Sequence, residues 1–385
     1  MPRAAITKEI IFVMSKIRVL SVFGTRPDAI KMCPLVLALD RDERTESIVC
    51  VTAQHREMLD QVLGCFGVRP DYDLNIMKPR QTLTTITEAI LEKLEPVLTD
   101  AAPDIVLVHG DTSTSFVAAL CAFYQKIPVG HVEAGLRTFD RYSPFPEEMN
   151  RRLTGRLATL HFAPTELNRE NLAREGITDG VTVTGNTVID SMKYTVREDY
   201  TFEDETLRGI DFADGKTVLL TAHRRENLGV PMENICRAVQ RLIARYPELR
   251  VIWPVHLNPA VRETAFGMLR GLPRVTLIEP TNVVDTHNLM AKCAFVMTDS
   301  GGIQEEATAV GVPTLVLRTE TERPEGLDTG ILKLVGVEED AIFDTASRLL
   351  SDPAFYASMA GAKNPYGDGF ASERIIDAIC AWKGV

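Results

Sequence analysis

Short β-branched and apolar runs alternate with longer stretches in which apolar positions recur every three or four residues, through most of the chain. Strands are expected at 16–23 (KIRVLSVF), 47–52, 104–110, 127–133 and 158–164. Between them lie stretches such as LTTITEAILEKLEPVL, whose period is that of a helix with one buried face. Near-continuous apolar strands separated by helices predict a parallel sheet covered on both faces. The pattern restarts with strands expected at 217–223, 250–255, 274–279, 293–299 and 312–318. A polar, weakly periodic stretch over 190–216 separates the two series. The fold class expected is therefore α/β, with two doubly wound Rossmann-like domains: residues 1–190, including an extension over about 1–15, and residues 191–369. A terminal amphipathic helix follows over 370–385, and its docking place is not readable from the pattern.

Composition narrows the function classes. The 385 residues are 45% apolar and 25% charged, as in an ordinary globular protein. A net charge of −11 argues against general affinity for nucleic acid or an anionic membrane, so an anionic small molecule would need a locally basic pocket. The N-terminal run IIFVM is too short for a signal-peptide core, and no stretch has the length to span a bilayer; a cytoplasmic location is expected. Met14 is a candidate start, because the first strand begins only at Lys16. The seven cysteines (33, 50, 65, 121, 236, 293, 380) are scattered, odd in number and never spaced C-x-x-C, which predicts buried free thiols. His109, His131, His161, His256 and His287 lack metal-ligand spacing, so no metal cofactor is expected.

Position carries more information than number. Ligands of open α/β sheets bind beyond the carboxyl ends of the strands. Asp111, Glu133, His223 and the D-S-G-G run at 299–302 all fall at such ends, and two facing edges would form a cleft supplied by both domains. In FGTRPDAIK (23–31), Gly24 permits a tight turn, Pro27 suits a first helical position, and Arg26 and Lys31 place cations beside a helix start. An anion cradle and a plain strand-to-helix turn both remain open there. In DSGGIQEE (299–306), Ser300, Gly301 and Gly302 open a helix whose amides can approach a phosphate, with Glu305 or Glu306 one turn in for ribose hydroxyls. Ile303 cannot close a capping box on Ser300. The G-K-T at 215–217 has Ile210 where a phosphate-binding loop needs glycine and precedes a strand, so it reads as a turn. The stretch HVEAGLRTFDRYSPFPEEMNRR (131–152) packs four acids and four arginines just after an apolar strand. Arg137, Arg141, Arg151 or Arg152 would balance the charge of an active site, or else arginine–glutamate pairs merely tie a loop down.

Taken together, FGTRPDAIK, VTAQHREML, LVHGDTSTS, GHVEAGLRTFDRYSPFPEEMNRR, VTGNTVID, TAHRREN, PVHLNP, TDSGGIQEEA, TERPEG and NPYGDG resemble the non-hydrolysing UDP-N-acetylglucosamine 2-epimerases of bacteria and archaea. The resemblance runs from Phe23 to Gly369. It implies a glycosyltransferase-B-like pair of domains with UDP-sugar in the interdomain cleft, no cofactor, and a homodimer. It implies uridine-diphosphate contacts at Arg26, Lys31, His223, Ser300, Gly301, Gly302, Glu306 and Arg323, and acid/base carboxylates at Asp111, Glu133 and Glu147, with His223 counted in the catalytic group. It also implies UDP-N-acetylglucosamine as an allosteric activator, through segments holding Gln54, His55, Gln81 and Arg224. The family often has glycine where Arg80 stands, and EPTNVVDTHNLM (279–290), with Thr281, Thr286 and His287, departs from its usual uracil loop.

The implied chemistry accounts for the charges. The proton on sugar C2 is not acidic, because C1 is an acetal; expelling UDP from C1 while C2 loses its proton gives 2-acetamidoglucal, and re-addition with protonation on the opposite face gives the mannosamine isomer. That route needs carboxyl groups on both ring faces and cations around the departing diphosphate. Neighbouring carboxylates are expected to raise one another's pKa, one holding a proton while another acts as base. The epimerised product would supply surface-polysaccharide precursors. A retaining UDP-sugar glycosyltransferase of the same fold and a non-catalytic UDP-sugar-binding regulator are the alternatives.

Overall fold

The computed structural model describes residues 16–385 except 54, 55, 79, 214 and 215; the expected extension and Met14 lie outside the described residues. The first sheet contains β1 (Ile17–Phe23), β2 (Thr45–Val51), β3 (Tyr72–Asp73), β4 (Ile105–His109), β5 (Val129–Val132), β6 (Leu160–Ala163) and β7 (Val181–Val183). Its strand order is β3-β2-β1-β4-β5-β6-β7, and every pairing is parallel. The second contains β8 (Lys216–Thr221), β9 (Leu249–Pro254), β10 (Val275–Ile278), β11 (Phe295–Thr298), β12 (Thr314–Val316) and β13 (Leu332–Leu334). Its order is β10-β9-β8-β11-β12-β13, again parallel throughout. Each sheet reverses its strand order next to its first strand, the switch point where a doubly wound sheet leaves a crevice.

Alternate residues of one strand feed opposite faces. Val19 and Phe23 of β1 pack with Met32, Leu35 and Leu39 of the Arg26–Arg41 helix. Leu20 and Val22 pack instead with Ile90, Leu94 and Leu98 of the Leu83–Ala101 helix. The second sheet repeats this plan, with Trp253 and Phe295 fully buried in one layer and Leu219 and Ile252 in the other.

One segment between the sheets differs from the sequence reading, and the expected helix after them gains a docking place. Residues Thr187–Thr195, at the edge of the stretch read as weakly periodic, form a helix capped by Asn186, whose side chain accepts from Val188 N. Its buried Val188, Ile189 and Met192 are spaced one and three residues apart, too few positions for a period to show. The C-terminal helix Ala371–Lys383 docks on the first domain, placing Ile375, Ile376, Ile379 and Cys380 in the layer built on the Arg26–Arg41 helix. Polar contacts seat it: Ala371 N donates to Asp190 Oδ1 at 3.1 Å, Arg44 Nη2 to Asp377 Oδ1 at 2.8 Å and Lys383 Nζ to Asp104 Oδ1 at 2.7 Å. The chain thus crosses back from the second domain to the first. All seven cysteines are free; six are buried and Cys65 is half-buried.

Within the first sheet, His131 and His161 face each other across β5 and β6. His131 is fully buried, and its Nε2 donates to Gly110 O at 2.8 Å, which fixes the neutral tautomer with an unpartnered Nδ1. Burial is the largest cause pushing its pKa down to about 3. A base with a depressed folded pKa lends stability that is full above its unfolded value and is lost as pH falls from about 6.5 towards 3. Denaturant unfolding at pH 7 and pH 4 should therefore show His131→Gln losing about 3 kcal/mol less than wild type over that interval; equal losses would contradict the assignment.

Candidate active site

The end of β1 is shaped for close approach. A Cβ on Gly24 would lie 1.9 Å from Thr52 Oγ1 and 2.8 Å from Thr114 Oγ1, so only glycine lets the chain pass here. Thr25 then caps the Arg26–Arg41 helix, accepting from Asp28 N at 3.4 Å, with Pro27 in the first turn. Arg26 donates through Nη2 to Thr281 O of the second domain at 3.3 Å. Lys31 points inward: its Nζ pairs with Glu133 Oε1 and lies 3.4 Å from Glu305 Oε2, and the Lys31 and Glu133 side chains are each 10% exposed.

Glu133 immediately follows β5 in a left-handed conformation, φ 61°, which costs a non-glycine residue on the order of 1 kcal/mol or more. Beside it, a Cβ on Gly110 (φ 60°) would stand 3.1 Å from Glu133 Oε2. Asn186 supplies both amide hydrogens, one to Glu133 Oε1 at 3.0 Å and one to Glu305 Oε2 at 3.2 Å. Arg323 Nε donates to Glu305 Oε1 at 2.9 Å, and its Nη1 to Glu322 Oε2 at 2.9 Å. Lys31, Glu133, Asn186, Glu305 and Arg323 therefore form one buried polar knot spanning both domains. The expectation that crowded acids raise each other's pKa fails at Glu133. Burial does push its pKa up, yet Lys31, His109 and Arg323 outweigh burial and hold the carboxyl well below the usual range. Lys31 is likewise held above the ordinary lysine range: desolvation opposes its charge, and Glu133 and Glu305 overcome it.

Asp111 follows β4 and is partly exposed; its carboxylate pairs with Arg151 Nη2, and its carbonyl accepts from Asn150 Nδ2 at 2.9 Å. Glu147 opens the Glu147–Leu157 helix and is half-buried. Its neighbour Glu148 is fully buried and ties down the preceding loop, accepting from Thr138 N and Phe139 N at 3.1 Å each. The arginines divide the same way. Arg151 serves Asp111 and Glu148, whereas Arg137 and Arg152 both clamp Glu175, at 2.9 and 3.0 Å. Arg141 is exposed. The loop-tying reading thus holds for Glu148, Arg137 and Arg152, and Asp111 shares Arg151 with Glu148.

In the second domain, fully buried Asp299 organises the loop after β8. Its Oδ2 accepts from His223 N and Arg224 N at 2.8 Å and from Asn227 Nδ2 at 2.9 Å. Its Oδ1 lies 3.4 Å from His223 Nδ1, and the His223 ring stacks on His256 with centroids 5.0 Å apart. Burial lowers the His223 pKa, more than Asp299 raises it. Ser300 precedes the Gly301–Ala309 helix without capping it through its side chain. A Cβ on Gly301 would stand 3.1 Å from the Arg323 guanidinium, so that glycine lets the cation approach the helix start. Glu306 Oε2 lies 3.4 Å from His287 Nε2; burial raises the Glu306 pKa, but His287, Lys31 and Arg26 bring it below the ordinary value. Thr281 and Thr286 bond each other at 2.8 Å, and His287 Nδ1 meets Thr195 Oγ1 at 2.7 Å.

A cleft of about 1270 Å³ opens between the 137–145 loop of the first domain and residues 223–227 and 318–322 of the second. His223, Arg224, Arg225 and Arg318 make part of its wall basic within an acidic protein. It meets the buried knot at Glu322, which lines the cleft and receives Arg323. Among the described residues, no three or more His, Cys, Asp or Glu side chains are grouped to hold a metal, and no helix is long and apolar enough to cross a membrane.

The proposed activator segments are less well defined. Gln54 and His55 lie outside the described residues. Gln81 spends its amide on Ile76 O at 2.6 Å, and Arg224 lines the cleft. Arg80 has φ 57°, a left-handed conformation that explains a preference for glycine at this position. Sequence reasoning missed Asn186, His109 and the organising role of Asp299. Asn186 sits inside the VTGNTVID motif, where the residues before a helix offered a usable signal; nothing in the pattern marked His109 beyond its place at a strand end.

Residues 37–380 match the UDP-N-acetylglucosamine 2-epimerase family. A UDP-N-acetylglucosamine 2-epimerase of Bacillus subtilis is 54% identical over 95% of this chain and 96% of its own. The Neisseria meningitidis UDP-GlcNAc 2-epimerase, solved bound to UDP-GlcNAc, superposes with a TM-score of 0.87 at 49% identity, covering 95% of this chain and all 100% of that one. A Methanocaldococcus jannaschii UDP-GlcNAc 2-epimerase in complex with UDP-GlcNAc and UDP gives a TM-score of 0.77 at 33% identity, over 95% and 100% of the two chains.

The knot makes a quantitative demand. Removing one partner of a buried pair leaves a charge uncompensated, so Lys31→Met should cost about 3–5 kcal/mol in urea unfolding. Adding Glu133→Gln to Lys31→Met should return part of that loss. A Lys31→Met cost under about 1 kcal/mol would show that the pair does not hold the domains.

Proposed function

The chain belongs to the UDP-N-acetylglucosamine 2-epimerase family, and from that membership we propose that it interconverts UDP-N-acetylglucosamine and UDP-N-acetylmannosamine by eliminating and re-adding UDP. The observation that carries this reading is the convergence, at the strand ends of two facing sheets, of Glu133 with Lys31, Asn186, Glu305 and Arg323. In the forward half-reaction a carboxylate takes the C2 proton, the C2–H electron pair becomes the C1=C2 bond, and the C1–O pair leaves with UDP. Lys31, Arg323, His223 and the helix start at Ser300–Gly302 are the groups we assign to the charge that develops on the diphosphate. Re-addition runs the same electrons backwards, with a proton delivered to the other face of C2.

Asp111, Glu133 and Glu147 are assigned to the acid/base work. Two of them follow strands β4 and β5, and the third opens a helix beyond the loop that Glu148 anchors. Closeness to cations favours the ionised form of Glu133, which suits a base; it does not by itself divide the roles among the three. Because the activity needs no acceptor sugar, enzyme and UDP-N-acetylglucosamine alone are a sufficient assay. The motif resemblance also supports a cytoplasmic homodimer that supplies surface-polysaccharide precursors and binds a second UDP-N-acetylglucosamine as activator.

Incubating the protein with UDP-N-acetylglucosamine alone should yield a second sugar nucleotide by NMR, with no accumulation of free UDP. Asp111→Asn, Glu133→Gln and Glu147→Gln should each lower kcat by roughly 100-fold or more while calorimetry still detects UDP binding. Accumulating UDP with free sugar would assign a hydrolase, and near-normal turnover in all three variants would remove the carboxylates from the mechanism.

A further inference from the structure

Behind Glu133, on the side away from Lys31, lies a buried histidine with no assigned task. The His109 side chain is 4% exposed, and neither ring nitrogen has a hydrogen-bond partner. Its Nε2 stands 3.8 Å from Glu133 Oε2, and its Nδ1 stands 3.7 Å from Asp28 Oδ1, whose side chain is also 4% exposed. Asp28 is fixed in turn, its Oδ2 accepting from Thr112 Oγ1 at 3.3 Å. An unpartnered buried nitrogen is expensive, on the order of 1–3 kcal/mol, and such groups are rare in native proteins. Here two face carboxylates at a separation that a small side-chain shift would close to a hydrogen bond.

The charges define what the arrangement lacks. A neutral His109 with its hydrogen on Nδ1 presents a lone pair to an ionised Glu133, so that contact gains nothing. Add one proton, and either a Glu133 hydroxyl donates to Nε2 or an imidazolium sits between two carboxylates. Both states are attractive. Resting on the assignment of Glu133 to acid/base work, we propose that His109 is the proton relay behind Glu133, receiving at Nε2 the proton that Glu133 takes from the sugar, with Asp28 stabilising the cation at Nδ1. Glu133 Oε1 is occupied by Lys31 and Asn186, so Oε2 is the oxygen left for exchange.

The step balances with water as the only further reactant. Glu133 gains a proton from C2, the electron pair stays with the sugar, and transfer to Nε2 leaves Glu133 ionised and His109 singly charged. Once the acid on the opposite face has protonated C2 and the product has left, the ring returns its proton through Glu133 to water in the vacated site, and that acid regains one from water. Lys31 and Arg323, close to Glu133, disfavour a proton on its carboxyl. The titratable groups facing His109 are Asp28 from the Arg26–Arg41 helix and Glu133 and His131 from β5 and its end; Lys31 and Arg323 act on it through Glu133. His109 touches no substrate in this scheme. It is a positioning and relay residue, acting through Glu133.

The test compares pH–rate profiles of the full-length protein on UDP-N-acetylglucosamine. His109→Gln should lower kcat at least ten-fold with KM within two-fold of wild type, and the acid limb of the kcat profile should vanish, because no ring remains to be protonated. A His109→Gln enzyme with wild-type kcat and an unchanged acid limb overturns the relay. If Glu133→Gln is inactive in the same series, only the relay has failed; if Glu133→Gln is active, the assignment of Glu133 has failed first. Should His109→Gln not fold, nitrogen-15 histidine NMR decides the matter on proteins that keep the ring. The His109 Nε2 resonance should shift when Glu133→Gln alters the carboxylate facing it, and an unmoved resonance overturns the coupling.

Discussion

A lysine buried between two carboxylates from different domains is the constraint on which the rest of this molecule turns. Lys31 belongs to the first helix of the first domain, Glu133 to the end of β5, and Glu305 to the helix that follows β11 in the second domain. Such a set is unstable unless each charge is met, and Asn186 and Arg323 complete it. The demand reaches outward. Glu133 must adopt a left-handed backbone to face Lys31, Gly110 must lack a side chain beside it, and Gly24 must let the first helix start close to Thr52. Glu133 is one strained position set where acids and cations from two domains meet, and the proposed reaction, which creates and destroys charge, needs such fixed partners.

The fold delivers those partners through a simple geometric rule. In a parallel sheet every strand points its carboxyl end to one edge, and two such sheets set edge to edge bring both sets of strand-end residues into one crevice. Asp111, Glu133, His223 and Asp299 all stand just beyond such strand ends, after β4, β5, β8 and β11, and of the four His223 lines the cleft. The C-terminal helix strengthens the pairing of domains, since it leaves the second and packs its isoleucines against the first. Three segments therefore cross between the domains or bridge them: the helix after Asn186, the returning terminal helix, and the charged knot itself.

Much of the fold is legible in the amino-acid sequence. All ten strands read from the apolar runs are present, because a strand buried on both faces has to be apolar nearly throughout, and that leaves a clear imprint. The strands that escaped notice, β3, β7 and β13, are two or three residues long and lie at sheet edges, where half-exposure dilutes the signal. The site was legible as a set of strand-end residues but not as a set of partners. Lys31, which the resemblance assigns to the diphosphate, also pairs with Glu133 and Glu305, and no spacing along the chain shows that pairing. Neighbouring carboxylates are expected to raise one another's pKa, yet at Glu133 the lysine, against the effect of burial, holds it down. Pairing between residues a hundred positions apart is set by tertiary packing, so no spacing along the chain announces it. His109 shows the limit most plainly: its neighbours Asp28 and Glu133 lie far from it in sequence in both directions, and only their convergence gives the ring a task.

The proposed reaction turns on one event, the breaking and remaking of the bond between the sugar's anomeric carbon and the diphosphate while C2 exchanges its proton. The most direct measurement is to run the reaction in deuterated water and follow the C2 hydrogen of both sugar nucleotides by NMR. The account predicts that the mannosamine product carries deuterium at C2 from the first turnover, and that recovered UDP-N-acetylglucosamine gains it as the reaction reverses. A product that keeps its original C2 hydrogen would contradict it.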